Sequence, residues 1–255
     1  MTIPPVHRQS DARIRFDWGP VGAEAIVDGA DVAVVVDVLS FTTAVTVAVD
    51  KGMRVLPYRW RDASAASYAE ARGAALAVGR SVGDRTGEVS LSPRSIARAD
   101  NIDRLVLPSP NGSTIAFTLA ERGAVVVAAS LRNAGAVAAW LAPRLTTGAA
   151  VAVVAGGERW PDDSLRPAVE DLWGAGAVIS GLLRSGVAGP SPEALMAARA
   201  YDAIATDIPT QLVSTASGRE LVTAGFAGDV AMAAELDVSA VVPVLGDDGF
   251  GPAPG

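Results

Sequence analysis

The sequence predicts an α/β protein built on a largely parallel sheet flanked by helices, with a helical C-terminal elaboration and a final strand. Three observations carry this. Short Val-rich apolar runs recur along the 255 residues, helix-like stretches separate them, and several of those stretches meet a glycine just beyond their last turn. Runs that are apolar at nearly every position, such as "VAVVVDV" and "AAVAVVA", suit strands covered on both faces.

In chain order, strands are expected at 13–18, 32–38, 53–58, 74–78, 104–108, 124–129, 149–155 and 240–245, each a short apolar run bounded by turn residues. Helices are expected at 42–50, 62–72 and 113–121, which run into Gly52, Gly73 and Gly123, and at 134–145 and 167–184. Residues 79–101 have no strong period and carry charges and "LSPRS", which reads as a long loop or an insertion. From 191 to 236 the pattern is helical, interrupted at Asp202, Asp207 and Pro209. With no Pro/Gly-rich linker and no repeat, residues 1–255 are expected to form a single domain. Residues 1–12 read as a loose N-terminal tail and 246–255 as a loose C-terminal one.

Composition narrows the chemistry. There is no apolar run of membrane-spanning length, and the polar start "MTIPPVHRQSD" has no signal-peptide core, so a cytoplasmic protein without a membrane partner is expected. The absence of cysteine excludes disulfides, thiolate metal sites and a cysteine nucleophile. The only histidine, His7, lies in the N-terminal tail, which argues against a zinc site or a histidine base. A net charge of −7 argues against nucleic acid as a partner. Acid–base and metal chemistry must then come from Asp and Glu, and ligand binding from arginines, hydroxyls and backbone amides. Self-association into a homo-oligomer is left open.

Asp37 is the most telling residue. It interrupts "VVVDVLSFTTAV", the most apolar strand, although a buried carboxylate is costly unless it is paired, hydrogen-bonded or metal-bound. Ligands of open α/β sheets bind beyond the carboxyl ends of strands, at helix N-termini. Four strand ends carry suitable residues: Asp37 with "LSFTT", "SPNGST" from Ser109, "SLRN" from Ser130, and "GGERWPDDSLRP" from Gly156, which leads into Glu170 and Asp171. Singly, most of these read as turn and cap residues, and Arg80, Arg132, Arg159 and Arg166 read as surface residues. Together they suit an anion held with a divalent cation. Mg²⁺ takes carboxylates, water and phosphate oxygens, and Asp37 with Glu170 and Asp171 would supply the carboxylates. No Walker loop is present, "GAGAVI" lacks the third glycine of a dinucleotide fingerprint and lies inside a helix, and Leu39 stands where a haloacid-dehalogenase phosphatase needs its second Asp.

The chain resembles the 2-phosphosulfolactate phosphatase family, a magnesium-dependent α/β group. The resemblance rests on five blocks in order: "DVLSFTTAV", "LPSPNGSTIA", "SLRNAGAVA", "GGERWPDDSLRPAVEDLWGAGAVI" and "SGRELVTAGFAGDVAMAAELDVSAVVPV". It implies hydrolysis of (R)-2-phospho-3-sulfolactate to sulfolactate and phosphate, a step toward coenzyme M. Mapped onto this chain, it points to Asp37, Thr42 and Thr43, to Asn111, Gly112 and Ser113, to Ser130 and Asn133, and to Glu158, Glu170 and Asp171. The expected reading is therefore a Mg²⁺-dependent phosphomonoesterase for a small anionic phosphate. Asp37, Glu170 and Asp171 would be its catalytic and metal-binding acids, and Arg80 or Arg166 would meet a second anion on the substrate. The first block departs from the family's D-x-L-R-A-T: Ser40 and Phe41 replace Arg-Ala, and a serine is no substitute for a guanidinium fork. A different hydroxyacid phosphate as substrate, or a non-catalytic anion sensor on the same scaffold, are the alternatives.

Overall fold

A computed structural model describes residues 3–59 and 64–254. Strand β1 (Ile14–Trp18) leads through α1 (Gly19–Ile26) to β2 (Val32–Val36), which is buried at all five positions and so shows no apolar–polar alternation. Helix α2 (Phe41–Asp50) follows and is equally enclosed. Its buried hydroxyls are satisfied locally, Thr43 donating to the Val38 carbonyl and Thr46 to that of Thr42, both at 2.8 Å. Then come β3 (Arg54–Tyr58), α3 (Ser64–Glu70) and β4 (Ala75–Leu76). The first two residues of the helix expected at 62–72 lie outside the described residues.

The segment 79–101, expected as a loop, instead forms two short helices, α4 (Arg80–Thr86) and α5 (Pro93–Arg98). Local signals explain both. Gly87 closes α4 at a φ of 76°, and Ser92 caps α5, its hydroxyl accepting the Ser95 N–H, with Pro93 at the first helical position. The helices are too short for an amphipathic period to register.

Strand β5 (Arg104–Pro108), α6 (Gly112–Glu121), β6 (Val125–Ala129), α7 (Ala134–Thr146) and β7 (Val151–Ala155) match their expected places closely. A small hairpin, β8 (Glu158–Arg159) with β9 (Leu165–Arg166), precedes α8 (Val169–Arg184). The C-terminal region carries α9 (Pro192–Asp202), α10 (Ile208–Ser214), α11 (Ala216–Thr223) and α12 (Ala227–Ala233), then β10 (Pro243–Gly246) and β11 (Gly249–Pro252). The last of these corrects the expectation of a loose tail after residue 245. Pairing of β11 with both β10 and β3 orders it. The N-terminal tail is also tied down: the Gln9 side-chain amide exchanges hydrogen bonds of 2.8 and 3.1 Å with the Phe16 backbone.

Among the described residues the main sheet runs β1-β7-β2-β6-β10-β11-β3-β5-β4. The groups β1-β7-β2-β6 and β3-β5-β4 are each parallel, and the β10–β11 hairpin joins them through antiparallel pairs at Val127–Val244 and Val55–Phe250. The two parallel groups therefore run in opposite senses. Helices cover both faces, and one apolar cluster spans both groups, with Phe41, Val45, Val55, Leu105, Ile115 and Phe250 in contact around α2. The "GAGA" run of α8 is a packing device. A Cβ on Gly174 would sit 2.6 Å from Val38 and 2.7 Å from Val36, and one on Gly176 would sit 2.1 Å from the Ala197 carbonyl oxygen. No helix among the described residues is long and apolar enough to cross a membrane.

Candidate active site

A cleft of about 370 Å³ draws its lining from both parallel groups. Residues following β2 (Asp37, Leu39, Ser40 and Phe41) line it together with residues following β5 (Ser109, Pro110 and Asn111). The hairpin contributes Glu158 and Arg159, α4 contributes Arg80, and α11 contributes Ser217, Glu220 and Leu221. Loops that follow β2 in one group and β5 in the other thus share one lining.

Asp37 sits at the end of β2 with 8% of its surface exposed, beside the first turn of α2. One of its carboxylate oxygens accepts the Phe41 N–H at 3.1 Å, at the N-terminus of α2. Its backbone is locked by Thr42: the Thr42 hydroxyl donates to the Asp37 carbonyl at 2.8 Å and accepts the Asp37 N–H at 2.9 Å. Thr42 and Thr43 are fully buried, so they brace the Asp37 loop from behind. The Leu39–Ser40 peptide within this loop is cis.

Asp171, in the first turn of α8, is 3% exposed and ties two strand ends together. Its two oxygens accept the Val38 N–H at 2.7 Å and the Gly157 N–H at 2.8 Å. Its neighbour Glu170 is 2% exposed. Burial, then the charges of Asp37 and Glu170, hold the Asp171 carboxyl well above the ordinary range, against the Val38 N–H that favours the anion. Glu158 is pushed up to about 7, first by burial and next by Asp37, with Glu170 and Glu220 adding and Arg166 opposing. The structure therefore gathers Asp37, Glu158, Glu170 and Asp171 into one electrostatic neighbourhood, and Glu158 is as much part of it as the three acids expected to hold metal.

Asn111 bridges across the cleft. Its amide donates to the Gly157 carbonyl at 3.3 Å and to the Glu158 carboxylate at 3.4 Å, while its oxygen accepts from Arg159 at 2.9 Å. Gly112 is small because Phe41 lies against it: a Cβ there would fall 2.2 Å from the Phe41 ring. Ser113 is fully buried, its hydroxyl directed to the Leu107 carbonyl at 3.5 Å.

Ser130 and Asn133, expected at the site, are placed away from the cleft lining. Both are fully buried and form a reciprocal cap before α7, the Asn133 side-chain oxygen accepting the Ser130 N–H at 2.8 Å. The Asn133 amide donates to the carbonyls of Ala128 and Val241 at 3.3 and 3.1 Å, stitching the β6 end to the approach of β10. His7 lies in a short 3₁₀ turn, Pro5–Arg8, outside the cleft lining.

Of the arginines, Arg80 and Arg159 line the cleft, and Arg166 reaches one residue of its lining. The Arg166 guanidinium donates to the Ser217 hydroxyl at 3.1 Å. That of Arg80 donates to the buried Asp229 carboxylate at 3.0 Å and also meets the Ser40 hydroxyl. Ser217, Glu220 and Asp229 were not singled out as site residues from the sequence. Ser217 and Glu220 stand three residues apart on α11, the spacing of one helix face, and that was the one signal available for them. The 2-phosphosulpholactate phosphatase family model matches residues 23–248, a span that takes in every residue of this cleft. The chain belongs to the 2-phosphosulpholactate phosphatase family.

Proposed function

We propose that the protein is a Mg²⁺-dependent phosphomonoesterase that hydrolyses 2-phosphosulfolactate, releasing sulfolactate and inorganic phosphate. Membership of a phosphatase family supports the phosphate-ester chemistry. The observation that carries the reading is that acids and arginines share one cleft lining, Asp37, Glu158 and Glu220 with Arg80 and Arg159, beside the hydroxyls of Ser40, Ser109 and Ser217. A small molecule bearing a phosphate and a second anion, held with a cation, fits such a lining.

The donor chemistry suits magnesium. Among the described residues no group of three or more Asp, Glu, His or Cys forms a ready-made cation cage. Mg²⁺ needs no such cage, since it commonly takes one or two carboxylates and completes its shell with water and substrate phosphate oxygens. Asp37 with Glu158 would hold it, and Glu158 and Asp171, both raised by burial and by neighbouring acids, mark the acidic cluster whose charge a cation would lessen. Bound there, a divalent ion supplies charge neutralisation and polarisation of the phosphoryl group. Asp171, with both oxygens already accepting backbone N–H groups, would keep the ends of β2 and β7 in register rather than bind directly. Asn111 would steer the phosphate with its amide while holding Glu158 and Arg159 in place. Arg80 and Arg166 would receive the carboxylate or sulfonate through charge-assisted hydrogen bonds.

The test is turnover of 2-phosphosulfolactate and of p-nitrophenyl phosphate by purified protein, before and after chelation with EDTA. Activity on both, lost on chelation and restored by Mg²⁺, is the expected result. Full activity in thoroughly chelated protein would remove the metal from the proposal. A protein that binds these anions but turns over neither would favour the sensor reading.

A further inference from the structure

We propose that Asp229 on α12 is the positioning residue for Arg80, and that together with Ser92 it sets the preference for phosphate esters carrying a second anionic group; this rests on the phosphatase reading of the cleft. Asp229 lies in "AGDVAMA", a short helix of otherwise small and apolar residues, and is 2% exposed. A carboxylate in that position is costly unless it is fully partnered. Both its oxygens are engaged: one accepts the Ser92 hydroxyl at 2.5 Å, the other the Arg80 Nε–H at 3.0 Å.

Arg80 in turn reaches the cleft wall, where its Nη2 meets the hydroxyl of Ser40. Its guanidinium has five N–H donors, of which Asp229 and Ser40 engage two, and the others have no partner among the described residues. A free arginine would lose rotamer entropy on meeting an anion, whereas one clamped at Nε presents its remaining donors already oriented. Ser40 belongs to the same device. Its short side chain leaves room for the Arg80 guanidinium beside the Asp37 loop. An arginine at 40 would bring two guanidinium groups together instead of adding a binding group.

A merely structural ion pair would hold α12 to α4 and α5 without affecting substrate choice, and kinetics on two substrates separates the roles. The quantity read is the ratio of kcat/KM for 2-phosphosulfolactate to that for p-nitrophenyl phosphate. Asp229→Asn is expected to lower this ratio about tenfold, since it removes the anionic partner of the Arg80 ion pair and leaves a weaker ion–dipole hydrogen bond. Arg80→Gln should lower it at least as far, with the double variant no lower than Arg80→Gln alone. An unchanged ratio in Asp229→Asn, equal losses on both substrates, or additive effects in the double variant would overturn the inference. Should Asp229→Asn fail to fold, Ser92→Ala takes its place with an expected fall of about threefold, and no fall would be decisive against it. If the wild type hydrolyses neither ester, the phosphatase reading fails on its own. Calorimetric binding of sulfolactate then decides: about tenfold weaker binding in Asp229→Asn supports the clamp, while equal affinity, or no binding by the wild type, refutes it.

Discussion

In the absence of divalent cations, raising the pH from about 4.5 to about 8 should lower the folding stability by about 3 kcal/mol through Glu158 alone. Its carboxyl is pushed from 4.5 to about 7 in the folded protein, chiefly by burial and then by Asp37. Because the folded value lies above the unfolded one, the folded state keeps the proton longer. The stabilising contribution is complete below about pH 4.5 and is lost as the pH rises through about 7, at about 1.4 kcal/mol per pH unit. Asp171, also raised by burial and by Asp37, acts in the same direction. Urea unfolding in EDTA at several pH values measures the fall, and Glu158→Gln should remove the share due to Glu158, about 3 kcal/mol. Added Mg²⁺ should recover stability most strongly at the alkaline end, where the acids are charged. Equal slopes in wild type and Glu158→Gln would refute this account of the acidic cluster.

Three further outcomes are expected. Asp37→Asn should lower kcat by about a thousandfold or more while leaving the urea midpoint nearly unchanged, since it removes a charge at the reacting end of the cleft and keeps an acceptor for Phe41; steady-state kinetics beside unfolding curves checks it. Asp171→Asn should destabilise the fold by about 2–4 kcal/mol, because an amide offers one acceptor where the Val38 and Gly157 N–H groups need two; a variant as stable as wild type would deny the strand-tying role. Asn133→Ala should cost about 2–3 kcal/mol of stability with little change in KM, as expected of a buried cap remote from the cleft; a selective rise in KM would return Asn133 to the binding site.

Much of the fold was legible because it is written in local chemistry. The uninterrupted apolar runs of β2 and β7 reflect strands covered on both faces, and Gly52 and Gly123 end α2 and α6 with φ values near the left-handed region. Asp37 stood out because a carboxylate inside such a run has few inexpensive explanations, and the structure places it at the cleft. The helices of 79–101 were missed because six or seven residues are too few to show a period. β11 was missed because its order comes from partners distant in sequence.

The sequence by itself determined the α/β class, the order of the main strands and helices, the absence of cysteine, and the family, since composition, periodicity and motif blocks are properties of the chain alone. Only the tertiary structure decided how the polar residues divide. Ser130 and Asn133 share their residue types with a ligand site yet spend their hydrogen bonds on a buried cap, while Glu158, Ser217 and Glu220 reach the cleft from the hairpin and α11. The reversal of strand sense across β10 and β11 and the clamp of Arg80 by Asp229 depend on contacts between segments far apart in the chain. Such contacts form where burial and pairing balance over the whole fold, and no local pattern encodes which distant partner a side chain will meet.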